Sequence, residues 1–154
     1  MAVTDFTIVP PASQDEEGWR RNWAAYQTRY DVIVQPLTTD VIWARLLDPA
    51  SSMRGLIARD EQGNGIGFCH LVLHDNAWTL HPFCNLADMF VAASHRRRGV
   101  GRAMLKRIIA MAEENQWARV YWTTGRGNEP ARALYDSVAG GPDQMVQYTV
   151  KMKP

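Results

Sequence analysis

The feature that most restricts the fold is an apolar run that passes through a short loop of arginines and glycines directly into an amphipathic helix. The run CNLADMFVAA has the composition of a β-strand. The helix predicted to begin near Gly101 carries apolar side chains at helical spacing on one face, namely Met104, Leu105, Ile108, Ile109 and Ala112. Such a face is buried by packing flat on a sheet. The sequence therefore predicts a layered α/β domain.

The rest of the chain supplies the other elements of these layers. Strands are predicted at the N-terminal FTIV, in a hairpin of SMRGLIAR and GIGFCHLVLH around the turn DEQGNG, in ARVYWTT and in the terminal QMVQYTVKM. Helices are predicted in SQDEEGWRRNWAAYQTRY with Ser13 as its cap, over residues 39–47, and in NEPARALYDSV, where Pro130 suits the first turn. The order is strand, two helices, three strands, helix, strand, helix, strand, which indicates a single α/β (α+β) domain over residues 1–154.

The loop RRRGVG, from Arg96 to Gly101, has the composition of an anion site. Glycines at a helix N-terminus let backbone N–H groups approach a phosphate, and arginines add charge-assisted hydrogen bonds. The loop lacks the Gly-Lys-Ser/Thr of a P-loop, and Met104 occupies the position of the third glycine of a dinucleotide fingerprint. The pattern predicts a pyrophosphate site of another kind, and a charged flexible hinge is the alternative.

Charge and composition exclude several classes of protein. The 17 basic and 16 acidic residues give a net charge of +1, whereas nucleic-acid binders carry a basic excess. No apolar stretch approaches the roughly 18 residues of a membrane span, and no signal peptide is evident. We therefore expect a cytoplasmic protein without nucleic-acid or membrane partners. Cys69 and Cys84 lie in apolar runs and are expected to be reduced structural thiols. His70 and His74 have no acidic residue between them, so no metal site is predicted.

Two motifs carry a resemblance to a known family. RRRGVG matches the Arg/Gln-x-x-Gly-x-Gly/Ala pattern by which the GNAT (GCN5-related N-acetyltransferase) superfamily binds the pyrophosphate of acetyl-coenzyme A, and NEPARALY resembles its Asn-x-x-Ala-x-x-hydrophobic-Tyr motif. The order of elements is similar too. A closer likeness is to the branch with yeast histone and D-amino-acid acetyltransferases and with diamine acetyltransferases. The resemblance implies a mixed, mostly antiparallel central sheet of about six to seven strands with about four flanking helices.

The resemblance also implies which residues bind acetyl-coenzyme A. They are Phe90, Val91, Arg96, Arg97, Arg98, Gly99, Val100, Gly101, Arg102, Asn128, Ala131 and Tyr135. A backbone N–H around Phe90 and Val91 is expected to stabilise the oxyanion. Tyr135 is expected to be catalytic by protonating the departing thiolate, its alternative role being that of a buried helix aromatic. Asn128 is alternatively a local helix cap.

The amine site is expected to combine aromatic side chains with one carboxylate. Trp23, Tyr26, Tyr30 and Trp78 are the candidates for substrate binding, although the aromatic stripe of the first helix is also typical of a packed core. Asp88 is expected to recognise the amine and to take part in catalysis, and a structural anchor is its alternative. Ala87 stands where related enzymes carry glutamate, so we expect the proton to leave through ordered water.

These expectations converge on an acetyl-coenzyme A-dependent N-acetyltransferase. The acceptor is predicted to be the primary amine of a small molecule, such as an amino acid or a polyamine, attacking directly through a tetrahedral intermediate. The alternatives are acetylation of protein lysines or N-termini, and a non-catalytic sensor of acetyl-coenzyme A. By analogy with the family, a homodimer is expected.

Overall fold

The computed structural model describes residues 5–153. It divides into two compact units, the first ending at Thr123 and the second beginning at Thr124. The second unit contains one helix, α4 (Glu129–Ala139). The first unit contains the other elements, which are β1 (Phe6–Val9), a 3-10 turn (Ser13–Asp15), α1 (Glu16–Arg29), α2 (Pro36–Leu47), β2 (Met53–Asp60), β3 (Gly65–His74), β4 (Phe83–Val91), a 3-10 turn (Ala93–His95), α3 (Val100–Glu114) and β5 (Arg119–Tyr121).

The strands form one mixed sheet in the order β1-β2-β3-β4-β5. The pairs β1–β2, β2–β3 and β3–β4 are antiparallel, and β5 pairs with β4 in parallel. The predicted α/β class and the mostly antiparallel sheet are confirmed. The expected six to seven strands are too many, because the described residues form five.

The predicted C-terminal strand QMVQYTVKM is wrong for the described residues. Residues 144–152 join none of the ladders of the sheet. A strand is stabilised by the backbone of a neighbour, which an alternating pattern of side chains does not supply. Without such pairing the apolar side chains of the segment stay exposed, those of Tyr148 and Val150 at 91% and 86%.

The two faces of the sheet carry different helices. Phe68 of β3 packs in a cluster with aromatic residues of α1 and α2, whereas a Cβ placed on the preceding Gly67 would meet the side chain of Met104 on α3. Successive strand residues point to opposite faces, so α1 and α2 cover one face and α3 covers the other. The predicted inner face of α3 is confirmed at four of its five positions, because Ile109 is 37% exposed.

The start of α1 is fixed to β2 by an ion pair. The carboxylate of Asp15, with its side chain 1% exposed, accepts hydrogen bonds from Nε and Nη2 of Arg59, each at 2.7 Å. It also accepts the backbone N–H of Ala12 at 2.8 Å, so Asp15 and not the predicted Ser13 binds the backbone at this turn. Burial alone would raise the pKa of Asp15, but these hydrogen bonds and the charge of Arg59 outweigh it and hold the pKa below its ordinary value.

Candidate functional site

A β-bulge interrupts β4 beside the predicted amine site. Asp88 pairs with His70 and Leu86 pairs with Leu71, so Ala87 is an extra residue without a partner on β3. His70 and Leu71 point to opposite faces of the sheet, and each cross-strand partner points to the same face as the residue with which it pairs. The bulge therefore places Asp88 on the face covered by α1 and Leu86 on the other face.

The edge of β4 that faces β5 is paired over a short distance only. In the part of the chain that the structure describes, β5 pairs with β4 at three residues, Phe83, Cys84 and Asn85. Among the described residues, those of β4 from Leu86 to Val91 have no strand partner on that side. Except for the Val91 carbonyl, which accepts a hydrogen bond from Nε of Arg96, their outward backbone groups lie outside any strand ladder, an arrangement that an extended ligand can join.

Asp88 lies at the centre of a hydrogen-bonded group that joins three elements. Tyr26 of α1 donates its hydroxyl proton to Oδ1 of Asp88 at 2.9 Å, and Nδ1 of His70 lies 3.0 Å from Oδ2. The indole Nε1–H of Trp19 donates to Nε2 of His70 at 2.9 Å. His70 is 1% exposed, whereas the side chain of Asp88 retains 26% of its surface. The carboxylate is therefore held by hydrogen bonds on its buried side, and the rest of its surface is exposed.

The other aromatic candidates are distributed between the core and the surface. Trp23 is 7% exposed and belongs to the core cluster, with its ring stacked on that of Tyr26 at 5.6 Å. Tyr30 is 54% exposed, and its ring centroid lies 4.8 Å from that of Tyr26. Trp78 lies in the loop between β3 and β4 and is 89% exposed. The structure therefore brings Tyr26 into contact with Asp88 and Tyr30 into contact with Tyr26, and leaves Trp78 on an exposed loop.

The predicted phosphate loop enters α3 through a left-handed glycine. Gly99 has φ of +85°, which glycine adopts without a steric penalty, and the helix that follows has no side-chain cap. The first N–H groups of α3, from Val100 onward, are therefore free of a capping side chain and suit an anion. Arg96 donates from Nε to the carbonyl of Val91 at 2.9 Å, and its guanidinium lies 5.6 Å from the ring centroid of Phe90.

Arginines surround this end of β4 on the α1 side as well. A cavity of about 570 Å³ lies between α1 and the end of β4, and Arg21, Arg29 and Arg96 contribute to its walls. The other loop arginines, Arg97 and Arg98, are exposed. The first unit therefore concentrates positive charge at the end of β4, from which the chain continues into the predicted pyrophosphate loop.

The remaining predicted residues belong to the second unit. Asn128 precedes α4, and its carbonyl accepts the backbone N–H of Arg132 at 2.9 Å. Its side chain donates to Oγ1 of Thr124 at 3.2 Å and makes no capping hydrogen bond to the helix. Ala131 and Tyr135 lie on α4 itself.

Two residues of the site were missed by the sequence analysis, which considered His70 only as a weak metal candidate and did not single out Trp19 as a site residue. The alternation of β3 places His70 on the same face as Phe68, so the sequence pattern could have predicted that His70 is buried. The pattern could not have predicted its contact with Asp88, because that contact depends on the bulge.

Within residues 5–153 no group of three or more His, Cys, Asp or Glu side chains is arranged to hold a metal ion. Over the same range no helix has both the length and the apolar character needed to cross a bilayer.

The sequence and the fold of this chain are both similar to those of known proteins. Residues 17–140 match the Acetyltransferase (GNAT) family. The chain is 32% identical over 134 residues to the D-amino-acid N-acetyltransferase HPA3 of Saccharomyces cerevisiae (strain ATCC 204508 / S288c), covering 86% of this chain and 83% of that protein. Its fold is similar to the crystal structure of a probable acetyltransferase, with a TM-score of 0.85 at 24% identity, covering 96% and 99% of the two chains. It is also similar to AAC(6')-Iy in complex with the bisubstrate analog CoA-S-monomethyl-acetylneamine, with a TM-score of 0.80 at 17% identity, covering 97% and 99%.

Proposed function

This chain belongs to the acetyltransferase (GNAT) family and is an N-acetyltransferase, and from that premise we propose that it acetylates the primary amine of a small molecule, an amino acid or a polyamine. The observation that carries the proposal is the carboxylate of Asp88, which is partly exposed beside the unpaired edge of β4 and held by Tyr26. A carboxylate in this position attracts an ammonium group. The named activity of the yeast relative, on D-amino acids, supports a small acceptor.

Acetyl-coenzyme A, the acetyl donor of this family, supplies a thioester carbonyl, and the residues present fit such a ligand. The uncapped N-terminus of α3 behind Gly99 offers backbone N–H groups to a pyrophosphate, and Arg96, Arg97, Arg98 and Arg102 supply positive charge. The unpaired edge of β4 offers backbone groups to an extended arm. We assign the cofactor to this loop and edge, and include Asn128, Ala131 and Tyr135 of α4 in the proposal.

The backbone donors for the oxyanion follow from the ladder between β3 and β4. Ala92 donates its N–H to the carbonyl of Ile66 at 2.8 Å, so its N–H points toward β3. Directions alternate along an antiparallel strand, so the N–H of Phe90 also points toward β3 while those of Met89 and Val91 point to the unpaired edge. We therefore assign oxyanion stabilisation to Val91 and Met89, within the region that the sequence predicted.

Two proton transfers complete the proposed reaction. An alkylamine with a pKa of about 10 must lose a proton before it attacks. A carboxylate stabilises the ammonium form, so Asp88 recognises the amine and ordered water carries the proton away. Ala87 supports this assignment, because it is exposed in the bulge and supplies no carboxylate at the position where related enzymes carry glutamate. Tyr135 protonates the departing thiolate.

Thiol release from acetyl-coenzyme A tests the proposal. The panel contains amino acids of both hands, polyamines and lysine peptides, and the variants are Tyr135→Phe and Asp88→Asn. Tyr148→Phe, which removes a hydroxyl from a side chain 91% exposed near the C-terminus, is the matched control. We expect turnover on one small-amine class, a lower kcat for Tyr135→Phe, and a higher amine KM for Asp88→Asn.

Two other outcomes would each reject part of this function. Turnover confined to lysine peptides would make the chain a protein acetyltransferase. Binding of acetyl-coenzyme A by calorimetry without turnover on any amine would favour a sensor.

We also propose that the protein is a homodimer, which the exposed apolar side chains of residues 145–152 support. Sedimentation as a monomer would reject the homodimer.

A further inference from the structure

The hydrogen bonds of His70 define which of its ring nitrogens carries the proton. An indole N–H only donates, so Nε2 of His70 accepts the hydrogen bond of 2.9 Å from Trp19 and carries no proton. In the neutral ring the proton is then on Nδ1, which lies 3.0 Å from Oδ2 of Asp88. His70 therefore donates to the carboxylate, and Trp19 selects the tautomer that does so.

We propose that His70 is a positioning residue for Asp88, with its tautomer set by Trp19. The inference rests on the proposed role of Asp88 as the amine-binding carboxylate. Oδ1 accepts from Tyr26 and Oδ2 accepts from His70, so the plane of the carboxylate is fixed from two sides. An ionised carboxylate has about four acceptor positions, so capacity remains for an ammonium group on the exposed side.

The same geometry excludes His70 as a general base or a proton relay. A relay needs a second nitrogen that passes the proton on, and Nε2 of His70 faces the donor-only indole of Trp19. His70 is also 1% exposed, which keeps its ring from reaching an acceptor amine directly. Histidine here orients a carboxylate, whereas in a hydrolase triad a carboxylate orients a histidine.

The bulge in β4 is what makes this contact possible. His70 and Asp88 are cross-strand partners on the face covered by α1, and the register changes immediately after His70. Trp19 and Tyr26 are seven residues apart on α1, which is two helical turns, so one helix face supplies both outer hydrogen bonds. Three elements thus converge on one carboxylate.

Nitrogen NMR of the full chain labelled in histidine tests the tautomer without any assay of activity. The four histidines are separated by elimination with His74→Asn, His81→Asn and His95→Asn, so the assignment does not require a variant of His70. We expect His70 to carry its proton on Nδ1, and expect Trp19→Phe to release part of the population to the Nε2–H form. A wild-type His70 protonated on Nε2 would overturn the proposal.

Steady-state kinetics then test the positioning role. Loss of a hydrogen bond to a charged group in His70→Ala should raise the amine KM by about tenfold and leave the KM for acetyl-coenzyme A unchanged. His70→Asn keeps an amide N–H near the position of Nδ1 and should restore the amine KM to within about threefold of wild type. His74→Asn, on the same strand but exposed, is the matched control and should leave both constants unchanged.

The outcomes separate this inference from the proposed function. Equal amine KM values for His70→Ala and His70→Asn, or a loss of kcat alone, would reject positioning. If His70→Ala does not fold, a His70→Asn enzyme with an amine KM raised as far as that of Asp88→Asn would reject it instead. If no amine is acetylated, the proposed function fails, whereas the NMR result still decides the tautomer.

Discussion

Replacing Arg59 by methionine tests how strongly the ion pair with Asp15 fixes the start of α1. Methionine keeps much of the aliphatic stem of arginine and removes its charge and its hydrogen bonds. Asp15 would then remain in a position where its side chain is 1% exposed, with the Ala12 amide as the partner that is left. The change leaves a buried carboxylate without a counter-charge.

The magnitude follows from the burial of the two partners. Removing one member of a buried ion pair costs about 3–5 kcal/mol, and we expect about 3 kcal/mol because the Arg59 side chain is 22% exposed. For a chain of 154 residues that loss lowers Tm by about 6–12 °C. Asp15→Asn in the same background removes the buried charge and should recover part of the loss.

The loss should also depend on pH with a defined sign. In wild type the pKa of Asp15 is lowered, so its contribution is present above the unfolded pKa of about 3.9 and is lost as pH falls through the folded value. Without Arg59, burial dominates and raises the pKa of Asp15, so the folded variant loses stability as pH rises. The difference in unfolding free energy between the two proteins should therefore be large at pH 7 and smaller near pH 3.

Urea unfolding followed by tryptophan fluorescence at both pH values measures this difference. Arg107→Met is the control, because its partner Glu114 is exposed and such pairs contribute about 0.2–1 kcal/mol. A loss below about 1 kcal/mol for Arg59→Met at pH 7 would refute the reasoning. So would a loss that is the same at pH 7 and pH 3, or a double variant no more stable than Arg59→Met.

Three further predictions concern the two cysteines and two glycines of the first unit. Burial raises the pKa of Cys69 and of Cys84 to about 12 each, so a disulfide reagent should label neither thiol in native protein and both in guanidinium chloride. Labelling of either thiol in native protein would contradict the described burial. Gly67→Ala should cost about 1–3 kcal/mol in urea unfolding, because its Cβ would lie 2.7 Å from the carbonyl oxygen of Phe90, and an unchanged midpoint would exclude that close approach. Gly99→Ala should cost about 1–2 kcal/mol through its φ of +85° alone, with Gly99→Asn less costly, and equal losses in the two variants would argue against the left-handed backbone.

Local patterns predicted the helices and the hairpin because their information lies within one segment. The apolar spacing of α3 and the turn residues between β2 and β3 are read without reference to the rest of the chain. The terminal segment shows the limit of this reading. Its alternation is as regular as that of a strand, but strand formation depends on a partner elsewhere, and no pattern within the segment reports whether one is available.

The candidate site was predicted residue by residue but not as an arrangement. Tyr26 and Asp88 were both expected to bind the amine, yet their hydrogen bond joins positions 62 residues apart. His70 was dismissed as a metal ligand because the sequence showed no acidic neighbour within its own segment. Its acidic partner lies on the next strand, and the register that joins them is set by one extra residue that alternation alone does not reveal.

That extra residue affects which changes β4 can accept. Ala87 is exposed and small, so a survey of surface positions would rank it as permissive to insertion or deletion. Deleting it would make Leu86 and Asp88 consecutive, and simple alternation would then keep them on the opposite faces that the bulge gives them now, opposite Leu71 and His70. Inserting another residue beside it would instead reverse the faces of one half of β4 or require a wider bulge. Shortening β4 at Ala87 should therefore be better tolerated than lengthening it there.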